Sequence, residues 1–282
     1  MSYSTTCHTA PHIKQHNKNP ALTNLLSKKS HNRSSRFAEE KLYNGTMPKR
    51  TKIERYKEIL SLPNVTDLHH YRDGDHASVR GKWSELFGND NPITLELACG
   101  KGDYCLGLGS RYPDRNFLGL DIKGDRIWKG AMQALDAGLR NVRFLRTRID
   151  HLTNYFAPGE IDEIWITFPD PYLKKSKTRK RLTHPVFLQR YARILQADGL
   201  IHLKTDSDRL FNFTLQVIDI LNLPIKQQIS DLYRLESIPE NLDIQTYYEK
   251  QHHSAGQTIK YVAFRLNDDV YHTVSGKINK LI

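Results

Sequence analysis

One carboxylate in this sequence is fixed between two prolines and is followed at once by a cluster of positive charge. The stretch FPDPYLKKSKTRKR runs from Phe168 to Arg181, and its last eight residues carry six Lys or Arg side chains. Pro169 and Pro171 restrict their own φ angles and the residues before them, which leaves Asp170 little conformational freedom. A carboxylate held in this way suits a task that depends on position.

The cations that follow Asp170 indicate a polyanionic partner. They are all of one sign, and they comprise Lys174, Lys175, Lys177, Arg179, Lys180 and Arg181. Phosphodiesters are the anions that such a segment would hold. A purely solvated surface loop is the alternative, but it is disfavoured because the charge is unmixed and adjoins a candidate site.

A second group of residues that could bind a ligand begins in the stretch LELACGKGDY. Gly100 and Gly102 follow a predicted strand, where residues without Cβ atoms let the backbone approach a ligand. Asp121 ends the next strand, 19 residues after Gly102, and can accept from both hydroxyls of a ribose. Cys105 replaces the third glycine of a dinucleotide fingerprint, and Glu96 would repel a pyrophosphate. S-adenosylmethionine, which has an ammonium, a sulfonium and a ribose diol but no phosphate, fits this pattern better. An ordinary strand-to-helix turn is the alternative.

A parallel sheet covered by helices on both faces would position these groups. Short aliphatic and β-branched runs alternate with helical segments from Ile93 onward. Strands are predicted at 93–97, 116–121, 142–146, 162–168 and 199–205, followed by 227–234 and 258–266 as an antiparallel pair. Ligands of such sheets bind beyond the carboxyl ends of the strands, where both FPDP and the glycine turn lie.

Four helices are predicted between these strands. Their ranges are 103–111, 125–138, 185–195 and 207–221. Gly138 is suited to follow a helix end, and Ser207 is suited to be an N-cap. The series therefore predicts right-handed βαβ crossovers.

Composition bounds the remaining possibilities. The 282 residues include 42 Lys or Arg against 31 Asp or Glu, a net charge of +11, which indicates nucleic acid or an anionic membrane surface as a partner. No apolar run approaches the ~18 residues of a membrane span and no signal-peptide pattern follows Met1, so we expect a cytoplasmic protein without membrane insertion. Residues 1–50 are basic and poor in apolar periodicity, which predicts a disordered tail before a single domain at 51–282.

The metal-binding residue types are not arranged as metal sites. Cys7, Cys99 and Cys105 form no C-x-x-C pair, which argues against structural zinc and against a disulfide framework. The pairs His69-His70 and His252-His253 lie in loop-like stretches. We therefore predict no metal and reduced thiols.

Several of these motifs, in this order, resemble the tRNA (guanine-N7-)-methyltransferases, a class I S-adenosylmethionine-dependent family. The resemblance runs from about Arg36 to Leu266 and is most specific in FPDPY with KK and KRL, in HLKTD and in TYYE. It implies an α/β class I methyltransferase fold, Rossmann-like, with a mostly parallel seven-stranded sheet. It also implies methylation of N7 of a variable-loop guanine, position 46 of tRNA, without a metal.

The resemblance implies roles for individual residues. Glu96 and Asp121 would contact S-adenosylmethionine beside Gly100 and Gly102, and Asp170 would be the catalytic carboxylate, also near the cofactor. The implied substrate contacts are Lys174, Asp206, Thr246, Tyr247, Tyr248 and Glu249. The implied RNA contacts are Ser176, Lys177, Thr178, Arg179, Lys180 and Arg181. For Tyr247 and Tyr248, stacking on a base and packing within the fold remain equal alternatives.

Two positions depart from the family pattern. Ala98 stands where the family has glycine, which is tolerated if the φ angle of Ala98 is negative. Arg148 stands where the family has an acid that resembles an adenine-side contact. Asp150 is a candidate substitute, with backbone groups alone as the other option.

The chemistry expected of such a site is alignment more than proton transfer. Guanine N7 carries a free lone pair and no proton, so in-line placement against the sulfonium methyl supplies most of the catalysis. Asp170 would stabilise the cationic purine or accept from guanine N–H groups, and Asp206 could do the same. A non-catalytic RNA-binding protein and a methyltransferase for another RNA or a small molecule remain the alternatives. The intact Glu96, Asp121, Asp170 and Asp206 disfavour the first, and the basic loop disfavours the small molecule.

Overall fold

The computed structural model describes residues 50–69, 79–267 and 270. The predicted tail, except Arg50, lies outside the described residues, and so does Cys7. The boundary between tail and domain at 50/51 therefore stays a prediction.

The described chain builds one mixed sheet of eight strands. In spatial order the strands run β1-β4-β3-β2-β5-β6-β8-β7, and all neighbours are parallel except those that involve β8. Their bounds are Val65–Asp67 (β1), Ile93–Leu97 (β2), Asn116–Asp121 (β3), Val142–Arg146 (β4), Ile161–Thr167 (β5), Leu195–Thr205 (β6), Ile225–Ile229 (β7) and Lys260–Arg265 (β8). From β2 the chain continues to β3 on one side, and β5 then pairs with β2 on the other side. This reversal of strand order places a ligand crevice between β2 and β5, at their carboxyl ends.

The predicted sheet is confirmed, with one strand more than expected. The extra strand is β1, a three-residue edge strand paired with β4. It is too short to show an alternating pattern in the sequence. The late antiparallel pair is also confirmed, but β7 ends at Ile229, and the rest of the predicted strand contains a short 3₁₀ turn at Leu232–Arg234.

Eight α-helices accompany the strands in the described residues. They are Lys52–Glu58 (α1), Trp83–Phe87 (α2), Asp103–Arg111 (α3), Gly124–Asp136 (α4), Leu152–Tyr155 (α5), Pro185–Ala192 (α6), Asp208–Ile220 (α7) and Tyr247–Ser254 (α8). Both predicted helix-end residues are confirmed. The Ser207 side chain accepts a hydrogen bond from the N–H of Leu210, and Gly138 follows the end of α4 with φ +67°.

Two apolar layers cover the two faces of the sheet. Along β3, Leu118 and Leu120 pack with the buried residues of α6 and α7, whereas Phe117 packs with those of α3 and α4. Side chains alternate between the faces of a strand, so this division means that helices lie on both sides. The central strands, β2 and β3, are buried along their whole length.

Candidate active site

The turn after β2 is built from left-handed backbone. Ala98, Gly100 and Gly102 have φ angles of +54°, +59° and +70°. Alanine could replace the family's glycine without cost only if the φ angle of Ala98 were negative. The positive φ angle shows that this condition is not met. A left-handed conformation costs an L-residue roughly 1–2 kcal/mol, so the turn carries strain at this position.

The two glycines of the turn have different surroundings. A Cβ atom at Gly102 would lie 2.5 Å from the ring of Phe144, so this position is closed by packing. A Cβ atom at Gly100 would meet no atom within 4 Å. The turn is thus open at Gly100, where a ligand could approach the backbone closely.

Glu96 lies beneath this turn and is 2% exposed. Its two carboxylate oxygens accept from the N–H of Cys105 and from the hydroxyl of Thr167, each at 3.0 Å. Burial raises the pKa of Glu96 from 4.5 to about 7, against the effect of these hydrogen bonds. The carboxylate therefore links β2, β5 and the start of α3, and a nearby cation would favour its charged form.

Asp121 closes the other side of the turn. Its Oδ2 accepts from the N–H of Gly100 at 2.9 Å, and its Oδ1 accepts from the N–H of Lys123 at 2.8 Å. Each oxygen retains acceptor capacity for a further hydrogen bond. Two carboxylates beside an open glycine thus fit a ligand with an ammonium and a ribose diol, and they do not fit a pyrophosphate.

Asp170 lies in a strained turn directly beyond β5. It is exposed, and its Oδ1 accepts from the N–H of Tyr172 at 3.0 Å. Phe168 and Tyr172, on either side, have φ angles of +47° and +44°. Non-glycine residues in this region cost energy and concentrate at functional sites. The N–H of Phe168 donates to the carbonyl of Lys204 at 2.9 Å, which ties the turn to the end of β6.

The TYYE segment forms the beginning of α8 and lies over the glycine turn. Thr246 is the N-cap, because its side chain accepts from the N–H of Glu249. The N–H of Tyr247 donates to Oδ2 of Asp103 at 2.8 Å, and Nζ of Lys101 lies 4.3 Å from the centre of the Tyr247 ring. The predicted substrate segment and the predicted cofactor turn are therefore in direct contact.

The two tyrosines of this segment are exposed, whereas its glutamate is not. The rings of Tyr247 and Tyr248 meet edge to face at 5.6 Å, and both residues are at least 40% exposed. Glu249 is completely buried, with its Oε1 2.7 Å from Nζ of Lys204 and 2.9 Å from the hydroxyl of Tyr233. The exposed rings keep stacking on a base possible and are not needed for packing of the sheet.

Asp206, beyond the end of β6, faces α8. Its Oδ2 lies 3.6 Å from Nδ1 of His252, and the ring of His252 lies nearly parallel to that of Phe168, with 6.2 Å between the ring centres. Asp206 is thus brought to the same edge of the sheet as the turn that holds Asp170.

The cationic loop forms a 3₁₀ helix, Lys175–Lys180, and its side chains divide into two groups. Lys174, Lys175, Ser176, Lys177, Arg179 and Lys180 are exposed and available to a polyanion. Thr178 is buried, and its hydroxyl donates to the carbonyl of Lys175 at 2.8 Å. Arg181 is also buried and binds backbone carbonyls of the turn that follows Asp170.

Arg148 and Asp150 occupy the exit of β4. They form an exposed ion pair of 3.4 Å, and Asp150 also lies 3.9 Å from Arg190 of α6. Neither distance assigns an adenine contact to one of them.

Sequence reasoning missed several residues that hold the site together. Lys101, Asp103, Thr167 and Lys204 contact predicted site residues. Three of them stand within or beside quoted motifs, since GKGD contains the first two and HLKTD contains Lys204. Their pairing partners are distant in the sequence, so motif spacing alone gave no signal for these contacts.

The described residues contain neither a cluster of metal-ligating side chains nor a membrane-spanning helix. No group of three or more His, Cys, Asp or Glu side chains there could hold a metal ion. No helix in that part of the chain is long and apolar enough to cross a membrane.

Comparison with known proteins assigns this chain to a family. A family described as "Putative methyltransferase" matches residues 90–262. The tRNA (guanine-N(7)-)-methyltransferase of Bacteroides thetaiotaomicron is 46% identical over 219 residues, which cover 77% of this chain and 86% of the relative. Proteins with the same name from Porphyromonas gingivalis and Christiangramia forsetii are 49% identical over 192 residues and 44% identical over 223 residues. These matches cover 67% and 78% of this chain, and 78% and 100% of the relatives.

A solved structure shares the architecture at low sequence identity. The 16S rRNA methyltransferase KamB is 13% identical to this chain, with a TM-score of 0.53 over 72% of this chain and 99% of that protein. This likeness shows the class I methyltransferase fold alone.

Proposed function

Because this chain belongs to the tRNA (guanine-N(7)-)-methyltransferase family, we propose that it transfers the methyl group of S-adenosylmethionine to N7 of a guanine in tRNA, at position 46 in the variable loop. The observation that carries the proposal is the meeting of the glycine turn, the Asp170 turn and the start of α8 at one edge of the sheet. The Thr167–Glu96 contact links the end of β5, just before the Asp170 turn, to the base of the glycine turn, and the Tyr247–Asp103 contact links the glycine turn to α8. Lys204 links the other two parts, because its carbonyl accepts from the N–H of Phe168 and its Nζ contacts Glu249.

S-adenosylmethionine supplies an electrophilic methyl group when it is bound. Asp121 accepts hydrogen bonds from the ribose hydroxyls, and its existing bond to the N–H of Gly100 keeps the carboxylate beside the open part of the turn. Glu96 provides negative charge for the ammonium from beneath the turn, where burial excludes competing water. These residues orient the cofactor and perform no proton transfer.

The guanine is held by the residues beyond β5 and β6. Asp170 is exposed and has an oxygen free of protein hydrogen bonds in the described contacts, so it can stabilise the positive charge that methylation places on the purine. Asp206 accepts from guanine N–H groups, with Thr246 at the adjoining helix start. An exposed Tyr247 or Tyr248 ring stacks on an unpaired base, as is usual in the recognition of RNA loops.

The tRNA backbone binds the exposed cations of the loop after Asp170. Lys174 contacts the substrate beside the site, and Lys177, Arg179 and Lys180 contact phosphates. We place the reaction in the cytoplasm. Cys99 and Cys105 are free thiols, which suits a reducing compartment.

Methyl transfer to tRNA is the direct test. Purified protein is incubated with methyl-labelled S-adenosylmethionine and unmodified tRNA that carries guanine or adenine at position 46. We expect label on N7 of guanine in the first tRNA and none in the second. Label at another nucleotide or atom would contradict the proposed position, and label on neither tRNA would contradict the proposed activity.

A further inference from the structure

Two arginines of the cationic loop have opposite surroundings. Arg179 is exposed, whereas Arg181, two residues later, is only 5% exposed. Both belong to the segment for which the resemblance implies RNA contact. A phosphate could reach the guanidinium of Arg181 only if the loop opened, so this side chain needs another explanation.

The guanidinium of Arg181 is committed to the turn that carries Asp170. Its Nε donates to the carbonyl of Pro171 at 3.0 Å, and an Nη donates to the carbonyl of Tyr172 at 3.1 Å. Its Cζ also lies 4.5 Å from the centre of the Phe213 ring on α7. The planar fork of arginine can serve two successive carbonyls while it stacks on a ring, which the point charge of lysine cannot do.

The peptide of Tyr172 connects this guanidinium to the Asp170 carboxylate. The N–H of Tyr172 donates to Oδ1 of Asp170, and the carbonyl of the same residue accepts from Arg181. Tyr172 is left-handed, with φ +44°, and such a conformation persists only where its surroundings hold it in place. Arg181 therefore restrains the residue that orients Asp170.

A second arginine extends the same support. Arg209, in the first turn of α7, donates to the carbonyl of Leu173 at 2.5 Å. The carbonyls of residues 171, 172 and 173 are thus held by two guanidinium groups behind the turn. This arrangement leaves Asp170 and Lys174 on the exposed side.

We propose that Arg181 is a positioning residue for methyl transfer, which acts through the Tyr172 peptide on Asp170, and that it is not an RNA ligand. The inference rests on the proposed function, because Asp170 is the group that it positions. On this proposal, five of the six cations after Asp170 face the polyanion, and the sixth, Arg181, fixes the turn.

The test compares Arg181→Met with Arg179→Met in the full chain. For Arg181→Met we expect the single-turnover rate at saturating tRNA and cofactor to fall roughly tenfold to a hundredfold, because a small misplacement of a reacting group has such effects. The salt dependence of tRNA binding should stay at the wild-type slope. Arg179→Met should instead lower that slope by ~0.7, as expected for one lost single-strand phosphate contact.

Two further variants separate positioning from general destabilisation. Arg115→Met removes a partly buried arginine that lies just before β3, at the amino ends of the strands, and pairs with Glu163 at 3.0 Å. This variant should alter the melting temperature without changing the single-turnover rate. Arg181→Lys restores one donor of the fork and should give a rate between those of Arg181→Met and the wild type.

Hydrogen exchange of the peptide that covers residues 168–175 gives a readout independent of activity. Exchange there should be faster in Arg181→Met than in the wild type and unchanged in Arg179→Met. A wild-type rate in a folded Arg181→Met variant, a reduced salt slope, or unchanged exchange would each overturn the inference. If the wild-type protein itself failed to methylate tRNA, the proposed function would fail, while the exchange data would still decide whether Arg181 fixes the turn.

Discussion

Oε1 of Glu249 lies 2.7 Å from Nζ of Lys204, and both side chains are completely buried. Lys204, near the end of β6, also donates to the carbonyls of Leu242 and Ile244 and to the hydroxyl of Tyr104. One buried cation thus fastens the segment before α8, and the first turn of α8, to the central sheet. Burial raises the pKa of Glu249 and lowers the pKa of Lys204, so each charge depends on the other.

Lys204→Met should therefore be strongly destabilising. It leaves Glu249 as an uncompensated buried acid, and loss of one partner of a buried pair costs about 3–5 kcal/mol in the free energy of unfolding. The double variant Lys204→Met/Glu249→Leu should recover a large part of this loss, because no unpaired charge remains. Urea denaturation measures both, with Lys226→Met on the exposed part of β7 as the control. If the double variant were no more stable than Lys204→Met, the unpaired Glu249 would not be the cause of the destabilisation.

The sequence pattern identified the groups that stand at strand ends. Asp121, the last residue of β3, and Asp170, three residues beyond β5, were placed correctly, because a short apolar run marks each strand and the residues at its end lie at the carboxyl edge of the sheet. Helix α8 was not predicted, since Glu249 is its only buried residue and no apolar periodicity marks it. The spacing of Thr246 and Glu249 is nevertheless that of a capping box, which was a usable signal for the start of a helix.

The role of Arg181 could not be inferred from the same pattern. A run of cations is typical of a solvated or anion-binding surface, and nothing local distinguishes Arg181 from Arg179. The difference arises from Phe213 and the carbonyls of the Asp170 turn, which reach Arg181 only through the packing of α7. Tertiary contacts of this kind have no fixed spacing in the sequence.

The left-handed Ala98 gives a prediction about stability. Glycine adopts a φ of +54° without the clash of a Cβ atom, which removes a strain of roughly 1–2 kcal/mol, but it also loses more backbone entropy on folding. Ala98→Gly should therefore increase the free energy of unfolding by a net amount of about 0.5–1 kcal/mol. Thermal melts of the two proteins without cofactor measure the difference. Ala137→Gly is the matched control, because Ala137 has a right-handed φ of −82° and glycine there should destabilise. Equal losses in both variants would show that the Ala98 backbone is not strained.

Glu96 should make stability depend on pH. The folded protein keeps a proton on Glu96 up to a pKa of about 7, whereas the unfolded chain loses it near 4.5. The unfolded state therefore binds fewer protons in this window, and the free energy of unfolding falls as the pH rises from 4.5 to 7. Glu96→Gln removes this contribution, so its stability relative to the wild type should rise across the window by up to about 3 kcal/mol.

The same carboxyl should make cofactor binding depend on pH. The charged form of Glu96 attracts the ammonium of S-adenosylmethionine, so the affinity of the wild type for the cofactor should increase between pH 6 and 8. Where Glu96 is still protonated, cofactor binding should release its proton. Glu96→Gln should bind more weakly at pH 8, and its affinity should vary less with pH. Calorimetry in two buffers with different ionisation enthalpies measures the proton release. A wild-type affinity independent of pH would remove Glu96 from the cofactor site.

Asp170→Asn tests the charge at the proposed reaction centre. The asparagine side chain keeps an oxygen that can accept from the N–H of Tyr172, so the turn and the fold should survive. If the carboxylate stabilises the methylated purine, the single-turnover barrier should rise by roughly 2–4 kcal/mol, by analogy with the loss of one preorganised electrostatic group. Binding of tRNA should change much less, because the cations after Lys174 are retained.

The matched control for this charge removal is Asp198→Asn. Asp198 is an exposed carboxylate near the amino end of β6, far along the strand from its carboxyl edge, so its loss changes the net charge equally without touching the site. Single-turnover rates at saturating tRNA and cofactor are compared with a thermal melt of each protein. A folded Asp170→Asn variant with the wild-type rate would contradict the charge-stabilising role and leave Asp170 as the acceptor that shapes the turn. Loss of cofactor affinity alone would instead assign Asp170 to the methionine end of S-adenosylmethionine and make Asp206 the partner of guanine.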